Sequence, residues 1–355
     1  MADRSIAGAA APTETTKQPS KFTTFLKRLV TEHPLGTVGA LITLVLLLTG
    51  IFADSIAPFG MNETAMQYRL ALPNERYLLG ADELGRDLLT RIIYGARISL
   101  IVGLGATILS TAISLLIGMV SGYLGGPVDT VTQRFVDAWM SIPGLIILMV
   151  MVTIITPGIF SIIVVLGVTT GIEGSRIIRS AVIAIKEDAY VSAATAIGGR
   201  TSTILLRHIL PNILAPTIVL FSLRVPGAIL AEAGLSFLGF GIPPPYPSWG
   251  GMLSGDTRWH MYAAPHLVIW PGVALAIVVY GTNMFGDALR DILDPRLRGG
   301  AGRFGGGKTK KGMRQRAAQL NGGVAPGSLN GGKSQEPQTS GPAVPREQSP
   351  DPPGS

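Results

Sequence analysis

The sequence has no cysteine. That excludes disulfide frameworks, cysteine-ligated zinc, iron–sulfur clusters and thiol nucleophiles. Histidine is nearly as scarce. His33, His208, His260 and His266 are the full set, and only the last two stand close enough for a local metal-ligand pair. Neither HExxH nor GxSxG occurs. Charge is the third shortage: Lys, Arg, Asp and Glu make up 14% of 355 residues, against about 25% in soluble domains. Apolar residues fill the gap, at 47% of the chain with mean hydropathy +0.41. This balance argues against a water-soluble enzyme and for a chain solvated by lipid.

The net charge of +7 suggests nucleic acid until it is partitioned. Residues 299–355 hold eight Lys/Arg and three Asp/Glu, so +5 sits there and +2 in the other 298 residues. No nucleic-acid partner is expected. The same 57 residues contain 14 Gly and seven Pro, too little apolar surface to offset ordering entropy. They read as a disordered basic tail, with Lys308–Arg316 suited to anionic headgroups. Gly302–Thr309 matches GxxxxGK[ST], but a working P-loop needs a strand before it and a helix after it. Here it follows the last apolar run, and the match is rejected.

Six spans are expected. Residues 1–33 are a polar cytoplasmic N-terminal tail. The uncharged stretch from Pro34 to Ala53 is long enough for about 20 residues of spanning helix, and longer than a cleavable signal's apolar core. Residues 58–97 are polar, with five Arg and five Asp/Glu. An uncharged run over 98–128 is span two. Pro157–Gly158 splits the next into span three (about 129–156) and span four (about 159–178). Span five starts near Pro211 and ends before Pro243, and span six covers 267–286. Placing both termini inside collects 22 Lys/Arg on cytoplasmic segments and six outside, with Arg224 left in a span; Lys and Arg favour that side. The division is therefore a tail (1–33), a first span with an exterior loop (34–97), a five-helix core (98–298) and the tail 299–355. No internal repeat is visible.

Between spans four and five lies KEDAYVSAATAIGGRTSTILLRHILPN, 186–212. Ser192, Ala193 and Ala194 open a run of small residues that gives a helix a thin surface. Gly198 and Gly199 can end that helix in left-handed backbone. Thr201 or Ser202 can cap a second, which runs until Pro211 interrupts it. By itself this is either a linker hairpin or a docking element.

The spacing S-A-A-x3-G198-x9-H-I-L-P211 resembles the EAA loop of permease subunits in binding-protein-dependent ABC importers. The stretches 79–100, 231–253 and 286–297 are similar to the dipeptide/oligopeptide (and nickel) branch, in family order. The resemblance spans about residues 34–298. It implies an all-α polytopic fold of the type I importer class, not an enzyme. It also implies a sister permease forming a heterodimer, two ATP-binding subunits, an extracytoplasmic substrate-binding protein, and a prokaryotic cytoplasmic membrane. ATP and Mg would bind on the partner ATPases and no cofactor on this chain. The EAA helix would couple to an ATPase through Glu187, Asp188, Ser192, Ala193, Ala194, Gly198 and Pro211. Ser192 stands where the family often has Glu, leaving Glu187 and Asp188 as the nearby carboxylates. The cargo would be a di- or oligopeptide, with nickel, glutathione or another small solute as alternatives. An ion-coupled secondary transporter is the more distant reading.

Charges in and around the spans leave alternatives open. Arg224 and Glu232 lie at membrane depth in span five, where an ionisable group is costly. Eight residues at 1.5 Å rise separate them by about 12 Å. They line the translocation path, or each pairs across the permease interface or snorkels. Residues 82–97 are expected as a flat interfacial helix, with Asp82, Arg86 and Asp87 either capping it or touching the binding protein. Tyr246 and Trp249, in the stiff loop IPPPYPSWGG, suit either the headgroup level or a docking protein.

Overall fold

The computed structural model describes residues 21–255 and 257–293. The tail 299–355, its P-loop-like match and most of the N-terminal tail lie outside them. No strand forms among the described residues. The helices that build the fold are α1 (Lys21–Glu32), α2 (Pro34–Ile51), α3 (Leu88–Leu124), α4 (Gly126–Met140), α5 (Gly144–Ile154), α6 (Ile159–Lys186), α7 (Ala189–Ala196), α8 (Thr201–Phe237) and α9 (His266–Leu293). Among the described residues five of them, α2, α3, α6, α8 and α9, are long and apolar enough to cross a membrane; the bent pair α4–α5 brings the number to six if it is one broken span rather than a re-entrant loop.

The central pair is α3 against α6. Lipid tails are as apolar as leucine, so helices in a bilayer associate through close packing and buried polar contacts. Both helices carry small residues four apart: Gly118 and Gly122 on α3, Gly167 and Gly171 on α6. A Cβ on Gly118 would lie 2.6 Å from the Ser175 carbonyl, and one on Gly171 would lie 2.8 Å from Ile113. Ser114 donates to the Gly171 carbonyl at 2.8 Å. Leucines and isoleucines on the far faces, such as Leu41, Leu44, Ile101, Ile108 and Leu116, stay exposed, as a lipid-solvated bundle requires.

Three boundaries differ from the sequence reading. Residues 82–97 form no separate interfacial helix. Asp87 caps α3 by accepting from the Thr90 N–H at 2.7 Å, and nothing stops the helix before Gly125, whose φ is +66°. At 37 residues α3 is about 55 Å long, well beyond the hydrocarbon core. Span three is bent by 89° between α4 and α5, where Pro143 removes a backbone donor. Pro211 does not interrupt the helix after the Gly pair. The ladder widens to a π-helical turn over Ile204–Ile209, with the Leu210 N–H donating to the Leu205 carbonyl, and α8 runs on to Phe237. The widened turn absorbs the missing proline donor.

Candidate functional site

The hairpin formed by α7 and the start of α8 sits at the Leu124 end of α3. Val191 of α7 and Ile204, Ile209 and Ile213 of α8 are buried with Met119, Ile178, Val182 and Leu220 of the bundle. Each such peg contributes about 1.5–3 kcal/mol. Lys186, at the end of α6, donates to the Tyr123 carbonyl at 2.7 Å and lies over the Tyr123 ring. This ties the base of the hairpin to the end of α3. Gly198 takes φ +81°, the Gly199 N–H donates to the Ala194 carbonyl and the Gly198 N–H to the Thr195 carbonyl. These two bonds close a Schellman turn. The second helix is capped by extended backbone at Arg200 rather than by Thr201 or Ser202, with no side-chain cap bond.

The outward face of the hairpin is thin and open. Glu187, Asp188, Ser192, Ala193, Gly198 and Pro211 are exposed and Ala194 is half-buried. Neither carboxylate forms an ion pair among the described residues. Burial, and then the charge of Asp188, push the Tyr190 phenol up. Sequence reasoning passed over Ile197, which is 87% exposed at the tip. A bulky apolar residue just before a Gly-Gly turn was the available signal.

Arg224 and Glu232 are not brought together. Arg224 donates to Ser110 and, at 3.3 Å, to Ser114, both on α3. Its guanidinium occupies space left by Gly174 of α6. The Glu173 carboxylate attracts it and also faces the first turn of α5 at Gly144. Glu173 was missed because it stands one residue past the uncharged run 138–172; a lone acid at membrane depth was its signal. Glu232 is fully buried and accepts from Ser236 at 2.7 Å, while its Oε2 has no protein partner. Two ion pairs fasten α4 to α6, Asp129 with Arg179 and Asp137 with Arg176.

At the other end of α3, Asp82 organises a turn. Its Oδ1 accepts from the Leu84 and Arg86 N–H groups at 2.9 Å, and its Oδ2 meets Arg86 Nε at 2.6 Å and Arg91 Nε at 3.4 Å. Asp82 and Asp87 are buried inside the subunit, the one as a turn anchor and the other as a helix cap. Trp249 is also inside, 2% exposed, donating Nε1–H to the Ile92 carbonyl at 3.1 Å. Packing and hydrogen bonding thus take these three side chains away from the surface where contact with a docking protein was expected. Arg86 is largely covered and Tyr246 half-exposed. Asp82, Arg86 and Tyr246 share one cavity of about 530 Å³ with Arg91, Ser236 and Ser248.

Residues 114–299 match the family described as binding-protein-dependent transport system inner membrane component. The chain is similar to the oligopeptide transport system permease protein OppC of Bacillus subtilis, 36% identical over 267 residues, covering 75% of this chain and 87% of that protein. It is similar to the glutathione transport system permease protein GsiD of Pectobacterium atrosepticum, 34% identical over 275 residues, 77% of this chain and 91% of that one. An inward-facing MetNI methionine ABC transporter overlays 57% of this chain and 96% of its own, with TM-score 0.47 and 19% identity. The chain therefore belongs to the family of binding-protein-dependent transport system inner membrane components, as a non-enzymatic permease subunit of an ABC importer with several membrane-spanning helices.

Proposed function

We propose that this permease pairs with a sister permease to form the path by which an importer carries di- or oligopeptides, and that α7 with its Gly198 turn is the element on which an ATPase subunit pulls. The observation that carries the coupling role is the hairpin's construction: apolar pegs on one side, a thin exposed face with free carboxylates on the other. Membership of the family supplies the ATPase and binding-protein partners. The peptide cargo rests on relatives such as the oligopeptide permease; the glutathione permease supports a second reading, a γ-linked tripeptide. Both cargoes carry free carboxylates.

In this reading the hairpin, the start of α2 and the end of α9 lie on the cytoplasmic side, following the Lys/Arg distribution. Nucleotide-driven closure of the ATPases displaces α7, and the Lys186–Tyr123 tie and the pegs of α8 pass that displacement to α3, α6 and α8. Arg224, held by two serines beside Glu173, then lies on helices that shift against one another. Reconstitution with the sister permease, ATPases and binding protein tests the proposal. ATP-driven uptake of a labelled oligopeptide is expected. Uptake by this chain alone on an ion gradient would overturn it in favour of a secondary transporter.

A further inference from the structure

The first helix, α1, belongs neither to the coupling hairpin nor to a spanning segment. At about 100° per residue, Phe25, Leu26, Leu29 and Val30 fall on one side of it, and Thr23, Thr24, Lys27, Arg28, Thr31 and Glu32 on the other. Half of the apolar side is already covered by protein. Phe25 and Leu29 pack on Ala288 and Ile292 near the end of α9, and Leu29 is buried there. Leu26 and Val30, on the other half, remain about 50% exposed.

The chain turns sharply between α1 and α2. Eight residues of straight helix rise about 12 Å, yet Thr37 Oγ of α2 donates to the Leu29 carbonyl of α1 at 2.9 Å. The break falls at His33, whose φ of −130° and ψ of 70° are not helical. Pro34 follows and disfavours helical backbone at the residue before it. Leu29 also closes on the first turn of α2, lying 3.4 Å from where a Cβ on Gly36 would stand. Because α2 is long and apolar enough to span, a helix turned back at its first residue runs along the bilayer surface.

In the adjoining turns of α2, Val38 and Leu41 are exposed on the side away from Gly36 and Gly39, which pack on α9. Leu26 and Val30 therefore stand at the head of a lipid-facing surface. A soluble subunit covering them would have to reach the depth at which α2 enters the hydrocarbon, where acyl chains are already present.

We infer that α1 is an interfacial helix: acyl chains of the adjacent leaflet cover Leu26 and Val30, and Lys27 and Thr31 turn to headgroups and water. Through Phe25 and Leu29 it pins the corner between α2 and α9 to the membrane surface. This role goes beyond import and is independent of the cargo.

The absence of native cysteine makes the test direct. Leu26→Cys, Val30→Cys and, on the polar side, Thr31→Cys each place one thiol on this chain for an environment-sensitive fluorophore. The labelled chain is assembled with its partner subunits, cleared of their own cysteines, in phosphatidylcholine nanodiscs with or without bromine on the acyl chains. An apolar face sunk about 5–10 Å into the headgroup–acyl boundary brings the first two labels within reach of bromine, for an expected loss of roughly half their emission. The Thr31 label should lose little, and iodide in the water should reverse the order. A label at Leu26 or Val30 quenched by bromine no more than the one at Thr31 overturns the inference. The measurement is repeated without the ATPase subunits. Bromine quenching that appears only on their removal shows an ATPase covering this face, and overturns it equally. All three positions are exposed, so the substitutions leave the packed side of α1 intact. ATP-driven uptake by the unlabelled parent complex is measured alongside: its failure strikes the import reading and leaves α1 at the membrane surface.

Discussion

At its Leu88 end, α3 is held by groups that satisfy one another inside the subunit. Asp82 is saturated by two backbone donors and two arginines, Asp87 caps the helix, and Trp249 ties the proline-rich loop to the Ile92 carbonyl. Nearby, Arg76 lies over the rings of Phe59, Tyr68 and Tyr77 at 5.3–5.7 Å, closing the loop between α2 and α3. At its Leu124 end the arrangement is the reverse. The hairpin is seated by apolar pegs, its helix caps make no side-chain bonds, and its charges face outward. Polar networks fix geometry, because each bond has a direction. Apolar pegs hold position while tolerating rotation, because burial has none. One end is held in shape by directional bonds, and the other is seated by contacts that tolerate rotation.

The sharpest test of the contrast is Trp249→Ala. Loss of a buried aromatic residue costs about 3–5 kcal/mol, and thermal unfolding of the purified complex should show a large drop together with poor membrane yield. Ile204→Ala in the hairpin comes next, at about 2–4 kcal/mol. Here the larger readout is functional: ATP hydrolysis should persist while uptake falls. If Ile204→Ala lowered the yield as severely as Trp249→Ala, the hairpin would be as structural as the other end.

Gly198→Val follows. The space around a Cβ at this position is open, so only the left-handed backbone resists it, at about 1–2 kcal/mol. Insertion should be normal and uptake uncoupled from hydrolysis; full uptake would count against the coupling role. Asp87→Ala removes a cap worth about 1 kcal/mol, visible as a modest shift in melting temperature.

The smallest effect concerns Asp54, exposed beyond the end of α2. Hydrogen bonds from Arg97 and then Tyr94 hold its carboxyl below the usual carboxylate range. A folded-state value below the unfolded one stabilises the fold above the unfolded pKa, and that contribution is lost as pH falls through the folded one. Between pH 5 and pH 3 the parent should lose slightly more melting temperature than Asp54→Asn, and equal slopes would show that this outer pair contributes nothing.

Much of this was legible in the residues. Uncharged runs of about 20 give spans because an unpaired backbone group in lipid is intolerable and a helix pairs them all. The Gly198–Gly199 turn was readable because positive φ is cheap for glycine. The merging of 88–97 into α3 was not, since amphipathic residues before a span fit a flat helix equally well. Nor was the continuity through Pro211, which depends on a π turn packed on the bundle.

The sequence alone determined the solvent, the all-helical class and the turn at Gly198–Gly199, because apolar length and local backbone preference are properties of contiguous residues. Only the tertiary structure decided the partners of its charges. Arg224 meets Ser110 and Ser114 across more than 100 positions, Arg179 meets Asp129 across 50, and Arg91 is left with a donor turned to no acceptor. Those outcomes depend on which helix faces cross, and crossing is fixed by side-chain packing between elements.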